Sequence, residues 1–358
     1  VTQWDGKDID DYGLLKLDVL GIRNLDIVSL AAKMIADTTG EVIDPDRLPH
    51  PNTKGDRRID AAWELLRSGR TAGVFQMESS GMANLARAVG PETLGDLSAV
   101  VALYRPGPMS AGMHEMYADR KNGLQQVDYS IFTRDAAEQD AIAEVLGETY
   151  GVFVYQEQLM RLGTVVAGFD VKMRSKLRKA VGKKIPALMA EVGTAFVEGA
   201  EQEHYDDAGA LISRRFQRAT AEKLFEYMKG SADYLFNASH SLAYAQLAFG
   251  TAYLKANWPS AYGAAILATT ATTANEKRLA ALRALREEGI AVLAPDVNRS
   301  RAATYPIDDR TVLLGLSEIK DVGKVGAEIV RARGDDRPFT DIASLKRRVI
   351  DADGKSAL

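Results

Sequence analysis

Cysteine is missing from all 358 residues, which excludes disulfides and thiolate metal sites and makes a cytoplasmic setting the expectation. Histidine is nearly missing too: four scattered residues are too few for a zinc site built on imidazoles. No apolar stretch approaches the roughly 20 residues that a bilayer-crossing helix needs. The opening Val-Thr-Gln-Trp-Asp does not read as a signal peptide, so no membrane partner is expected. A dominant charge is also lacking, since 45 Lys and Arg face 49 Asp and Glu for a net charge of -4. With no global basic field, any polyanion has to be met by a local patch. Neither an internal repeat nor a low-complexity linker is found, and the length predicts two or three ordinary domains. Because residue 1 is valine and the chain breaks off after an apparent helix, a piece of something larger is expected.

Along the chain, residues 13–22 read as a buried strand, with Lys16 and Asp18 on one face and Leu15, Leu17 and Val19 on the other. The charged pair reads either as a solvated edge pair or as functional groups on a central strand. Helices are predicted over 24–37 and 60–67, the second ending at Gly69, then a short strand over 73–78 and an amphipathic segment over 81–88. The apolar segment 97–104 should be helical and stop at Arg105-Pro-Gly-Pro108, where two prolines stiffen a turn. Arg105 is then either presented at a helix end or used to satisfy the last carbonyls. Residues 110–150 look irregular apart from one helix over 136–146, and a helix follows Tyr155-Gln-Glu-Gln158.

From Val171 the character changes. Lys172, Arg174, Lys176, Arg178, Lys179, Lys183 and Lys184 place seven positive charges in thirteen residues with no acid among them. Lys172, Lys176, Lys179 and Lys183 follow one helical stripe, and Arg174 and Arg178 a neighbouring one. Such a run is often a solvated face, but in an acidic chain it also suits an anionic ligand. Helices are expected over 186–203, 206–213 and 219–229. In Tyr234-Leu-Phe-Asn-Ala-Ser-His-Ser241, Ser239 or Ser241 is expected to cap a helix running to Asn257, leaving Tyr234 and His240 free above its end. Two further helices, over 260–271 and 275–288, precede short strands at 291–293, 304–307 and 312–316. The glycines of Lys320-Asp-Val-Gly-Lys-Val-Gly-Ala327 then form a hairpin that opens a helix to Arg333, and such a loop offers amides to a phosphate.

Seven segments run in the order and approximate spacing of the bacterial C-family replicative DNA polymerases. They are Leu14-Leu-Lys-Leu-Asp-Val-Leu-Gly21, Val74-Phe-Gln-Met-Glu-Ser79, Leu103-Tyr-Arg-Pro-Gly-Pro108, Tyr155-Gln-Glu-Gln158, Leu177-Arg-Lys-Ala-Val-Gly-Lys-Lys184, Phe236-Asn-Ala-Ser-His-Ser241 and Pro295-Asp-Val-Asn298. The sequence resembles that family over nearly its whole length. The resemblance implies a mainly α fold: a palm-derived β-strand segment, then helical fingers, then a small α/β region near the C-terminus. The implied divisions are the end of the palm over 1–70, fingers over 71–289, and the start of a helix-hairpin-helix region over 290–358.

The implied activity is template-directed transfer of dNTPs to a primer 3′ end with two Mg2+ ions. By likeness Asp18 is the catalytic and metal-binding aspartate. Its two partners would precede residue 1, so the 358 residues alone are expected not to polymerise, since one carboxylate cannot hold both ions. By the same likeness Lys16, Arg178 and Lys179 meet the triphosphate, and Tyr234 and His240 meet the sugar and base. Lys183 and Lys184 extend the phosphate or DNA contact. Arg105 is assigned chiefly to organising the loop beneath the site, with phosphate binding as a lesser role. Primed DNA template is the implied partner, with a sliding clamp, its loader and other replisome subunits, often including a proofreading exonuclease. Two departures weaken the cationic contacts: Lys179 stands where many relatives carry arginine, and Ala238 where lysine is frequent. The alternative is a non-catalytic DNA-binding or scaffolding protein derived from the same fold.

Overall fold

Helical spacing of apolar residues accounts for most of the architecture. The computed structural model describes residues 3–4, 9, 12–14, 21–183, 185–270, 275–334 and 337–349, and across these the fold is mainly α with five short strands. The expected strand carrying Lys16 and Asp18 lies outside the described residues.

Among the described residues, the helices with defined bounds begin with α1 (Arg23–Thr39), α2 (Arg57–Ser68), α3 (Ser80–Val89), α4 (Leu94–Leu103), α5 (Pro106–Ser110) and α6 (Met113–Lys121). Each main boundary has a chemical cause. Asp56 Oδ1 accepts from the Arg58 and Ile59 amides, and Gly69 ends α2 in a left-handed conformation. Thr93 and Asp96 form a reciprocal capping box at the start of α4. Every residue from Asp96 to Leu103 is buried, so α4 is a central helix and not an amphipathic one.

The next group comprises α7 (Ala136–Leu146), α8 (Gln156–Ala167), α9 (Val171–Lys183), α10 (Pro186–Ala200), the hairpin β1 (His204–Tyr205) with β2 (Leu211–Ser213), and α11 (Arg218–Ser231). Ile142, Leu162, Phe196 and Leu224 are sealed in its core. Glu138, 3% exposed, ties the group together. Its carboxylate accepts from the Thr133 and Thr220 hydroxyls and from the Gln217 amide, capping α11 from a distance.

Then come α12 (Ala238–Asn257), α13 (Pro259–Thr269) and α14 (Asn275–Glu287). Ala245, Phe249 and Tyr253 of α12 pack into the core of α2 and α4, with Trp63 and Phe249 ring centroids 4.8 Å apart. Strands β3 (Ala291–Leu293), β4 (Tyr305–Pro306) and β5 (Thr311–Leu313) form a sheet of order β3-β5-β4, the first pair parallel and the second antiparallel. The last described helices are α15 (Val325–Arg333) and α16 (Ile342–Arg348), joined through Leu316, Ile329, Phe339 and Val349.

Four local expectations are corrected. Residues 73–78 are consecutive turns and not a strand, with φ of 75° at Gly73 and 62° at Gln76. Their apolar pattern reflects burial of Val74, Phe75 and Met77 against neighbouring helices. Residues 206–213 are not helical, because Asp206 Oδ1 takes the Ala208 and Ala210 amides and Gly209, at φ 80°, completes a hairpin turn. Within the stretch read as irregular, Met113, Tyr117 and Ala118 supply the buried face of α6. Finally, the cap of α12 is Asn237, whose side chain accepts from the His240 amide at 2.9 Å.

Candidate functional site

The start of α12 is assembled from distant parts of the chain. The Phe236 amide donates to the Val154 carbonyl at 2.9 Å and the Gln156 amide to the Phe236 carbonyl at 2.8 Å, a short parallel bridge. Gln158 Oε1 takes the amides of Val154 and Tyr155, which fixes the turn into α8. Glu157 then accepts the Ala238 amide at 2.9 Å, placing a carboxylate where a helix start favours negative charge. Beneath it the Tyr155 hydroxyl donates to Ser98, Ser98 to Ser241, and Ser241 to the Asn237 and Ala238 carbonyls. Burial pushes the Tyr155 phenol up to about 12, so it stays a donor at neutral pH. The Tyr155-Gln-Glu-Gln158 and Phe236-Asn-Ala-Ser-His-Ser241 segments are therefore one structural unit.

Arg105 joins that unit from the other side. Its Nε donates to the Ala102 carbonyl at 2.9 Å and one Nη to the Tyr234 carbonyl at 2.7 Å, while the guanidinium lies 4.5 Å over the Phe236 ring. Burial holds this guanidinium below its ordinary value. The ring of Tyr234 lies over Gly107, where a Cβ would come within 2.9 Å of Tyr234 Cδ1. Glycine is needed at 107 because the loop and this ring are in contact.

A wall of rings continues from Phe236. His240 is edge-on to Phe236 at 5.4 Å and tilted over Tyr244 at 4.2 Å, and Tyr244 meets Phe75 at 5.2 Å. These rings form one side of a cleft of about 540 Å³ that Asn24, Gln76, Glu78, Ser79 and Arg105 also line. Phe75 is buried, Phe236 and Tyr244 half-buried, and His240 exposed. A flat ligand has aromatic faces to stack on and polar side chains at the rim.

The basic helix α9 packs against α8, α10 and the single turn Ala232–Tyr234 that leads into this unit. Leu177, Ala180 and Val181 anchor it, so burial of one face accounts for a helix whose other face repels itself. Arg178 and Lys179 are exposed, and among the described residues neither makes an ion pair, whereas Lys176 is paired with Glu191. The described residues thus bring His240 and Arg105 to one cleft, leave Tyr234 out of its lining, against Gly107 and with its carbonyl bonded to Arg105, and set Arg178 and Lys179 on a helix contacting the turn that ends at Tyr234. Lys16, Asp18, Lys184 and the Lys183 side chain lie outside the described residues. Among the described residues no group of three or more His, Asp or Glu could hold a metal ion.

Three contributors escaped the sequence reading: Tyr244, Gln76 and Glu157. Tyr244 stands four residues beyond His240 on the same helical face, a spacing that could have flagged it. The other two act through contacts that no local pattern encodes.

A helical domain with an aromatic cleft beside a cationic helix is a module suited to a flat, anionic ligand. The model of the bacterial DNA polymerase III alpha subunit finger domain matches residues 24–204, and a helix-hairpin-helix motif matches residues 289–356. DNA polymerase III subunit alpha of Thermus aquaticus is 36% identical over 353 residues, covering 98% of this chain and 27% of that protein. The Aquifex aeolicus (strain VF5) protein of the same name is 35% identical over 345 residues, covering 96% of this chain and 27% of that protein. The Escherichia coli (strain K12) one is 33% identical over 365 residues, covering 98% and 30%. The chain belongs to the family of bacterial DNA polymerase III alpha subunit finger domains. It spans 27% to 30% of the length of these relatives.

Proposed function

We propose that this chain is the nucleotide-gripping part of a DNA-directed DNA polymerase, whose whole polypeptide adds dNTPs to the 3′ end of a primed template. Residues 1–70 close the palm, 71–289 act as fingers, and 290–358 begin a helix-hairpin-helix region. In this reading the base and sugar of the incoming dNTP lie against His240 and Tyr244, and Tyr234, expected to meet them too, acts through its carbonyl bond to Arg105. Arg178 and Lys179, with Lys16, meet the triphosphate, where charge develops during transfer. Lys183 and Lys184 extend that contact toward the DNA backbone. Arg105 organises the cleft loop and has donors left over for a phosphate. Asp18 supplies one ligand to a pair of Mg2+ ions whose other ligands come from elsewhere. When bound, the ions would activate the primer hydroxyl and stabilise the leaving pyrophosphate. A sliding clamp and further replisome subunits are the partners, and the cytoplasm is the setting.

The observation that supports this reading most is the meeting of four separated segments at one cleft, with the basic helix packed on the turn that leads into it. Single-nucleotide incorporation by the whole polypeptide tests it. His240→Ala is expected to raise KM for dNTP by about tenfold, the worth of a lost stacking contact of ~1–2 kcal/mol, while primed-DNA affinity stays unchanged. An unaltered KM would contradict the placement of the nucleotide in this cleft.

A further inference from the structure

Gln76 is exposed, lines the cleft, and holds a left-handed backbone conformation at φ 62° that residues other than glycine, asparagine and aspartate seldom adopt. Its surroundings impose that conformation. On the N-terminal side Lys255 donates to the Arg70 and Ala72 carbonyls at 3.0 and 2.6 Å, and the Tyr262 hydroxyl donates to the Gly73 carbonyl at 2.7 Å. On either side of position 76 the Phe75 amide donates to Thr251 Oγ1, and Thr71 Oγ1 donates to the Met77 carbonyl. Phe75 and Met77 are both buried. A strained, exposed residue that its surroundings over-determine and that stands at a cleft is a candidate for a task outside the fold. Among the described residues the Gln76 carboxamide has no hydrogen-bond partner.

The other groups at the cleft narrow that task. The carboxylate of Glu78 lines the cleft two residues from Gln76, so the Gln76 side of the cleft suits an uncharged ligand group better than a phosphate, which is left to the spare donors of Arg105. What remains is a ring wall with uncharged polar side chains beside it, Asn24, Gln76, Ser79 and Tyr104, and of these Gln76 alone is held in a left-handed backbone conformation. We propose that Gln76 donates from its carboxamide to the edge of a base pair, using the purine N3 and pyrimidine O2 acceptors that every base pair presents in the minor groove. A residue that reads a feature common to all pairs senses pairing geometry without preferring a sequence. This inference rests on the reading of the cleft as a nucleotide site, and it adds a residue and a chemical class of contact to it.

The test uses the whole polypeptide, with dGTP and with 3-deaza-dGTP, which lacks the N3 acceptor, and with 3-deazaguanine placed at the primer terminus in a separate arm. Gln76→Gly removes the side chain and relieves the backbone, so its melting temperature should equal or exceed that of the parent, and Gln76→Asn serves as a second variant that tolerates the left-handed conformation. Both variants are expected to lose about fivefold to tenfold in kcat/KM, the worth of one hydrogen bond. The unaltered protein should lose a similar factor on 3-deazaguanine in one of the two positions, and Gln76→Gly should lose nothing further there. Full sensitivity of Gln76→Gly to 3-deazaguanine, or unchanged kinetics, overturns the proposal. So does a fall in melting temperature together with activity, which would make Gln76 structural. If the Gln76 variants are unimpaired while His240→Ala is impaired, the Gln76 assignment alone fails. If both are unimpaired, the cleft is not the nucleotide site.

Discussion

The carboxylate of Glu157 accepts the backbone amide of Ala238 at 2.9 Å, across 81 positions of sequence. Through that bond the start of α8 completes the hydrogen bonding at the start of α12, two residues before His240, whose own amide donates to the Asn237 side chain. The Tyr155-Gln-Glu-Gln158 segment is therefore a brace for the cleft and does not itself face a ligand through Glu157.

Removing the brace has a defined consequence. Glu157→Ala should lower unfolding free energy by about 1–2 kcal/mol, the range for a lost helix cap, and Glu157→Gln by less, because an amide oxygen still accepts. Urea denaturation with an unchanged slope measures this. Equal losses for both variants would point to charge, and not the hydrogen bond, as the cause.

Lys255 is a second brace, 5% exposed, bonded to the carbonyls of Arg70 and Ala72 and paired with Glu288 at 2.7 Å. Lys255→Met preserves the chain's bulk but leaves a carboxylate and two carbonyls unmatched. The expected cost is about 3–5 kcal/mol, read from the urea midpoint. Hydrogen exchange should rise over residues 70–77 before it rises elsewhere, because this turn is held mainly from that side chain and its neighbours. Uniform acceleration across the protein would deny Lys255 this local role.

Alkaline pH probes the hydroxyl relay under the cleft. The Tyr155 phenol ionises near 10.0 when unfolded, but burial raises it to about 12 in the fold. Between those values the unfolded state binds fewer protons, so stability is fully present below 10 and is lost as pH rises through about 12. Tyr117 and Tyr262 are also raised by burial and add slopes of the same sign, so the informative quantity is a difference. Tyr155→Phe should show a shallower decline in unfolding free energy across this window than the unaltered protein. Parallel declines would mean that Tyr155 is not buried as described.

Much of the fold was legible in the sequence wherever the pattern was local. Gly69 ends α2 where expected, though the helix starts at Arg57 on the Asp56 cap, three residues earlier than the expected start at 60, and the apolar residues of α1, α3 and α8 supply their buried faces. Where short segments are decided by one side chain, local reading failed. Asn237, Ser239 and Ser241 are all competent caps, and tertiary packing selects Asn237 by drawing Ser241 into the Tyr155 and Ser98 relay. Asp206 turned a helix-like stretch into a hairpin in the same manner. At the cleft, His240 and Arg105 could be picked out as polar groups at punctuated helix ends. The role of Gln76 depends on Thr71, Thr251, Lys255 and Tyr262, residues whose spacing in the chain says nothing about their meeting.

The central claim is that the exposed cations of α9 hold the phosphates of the nucleotide whose ring lies at His240. The most direct measurement is single-nucleotide incorporation by the whole polypeptide carrying Arg178→Ala and Lys179→Ala together. The account predicts that KM for dNTP rises by at least about tenfold, since each charge-assisted contact is worth ~1.5–3 kcal/mol, with little change in affinity for primed DNA. An unchanged KM accompanied by weakened, salt-sensitive DNA binding would contradict it and reassign the helix to the DNA backbone.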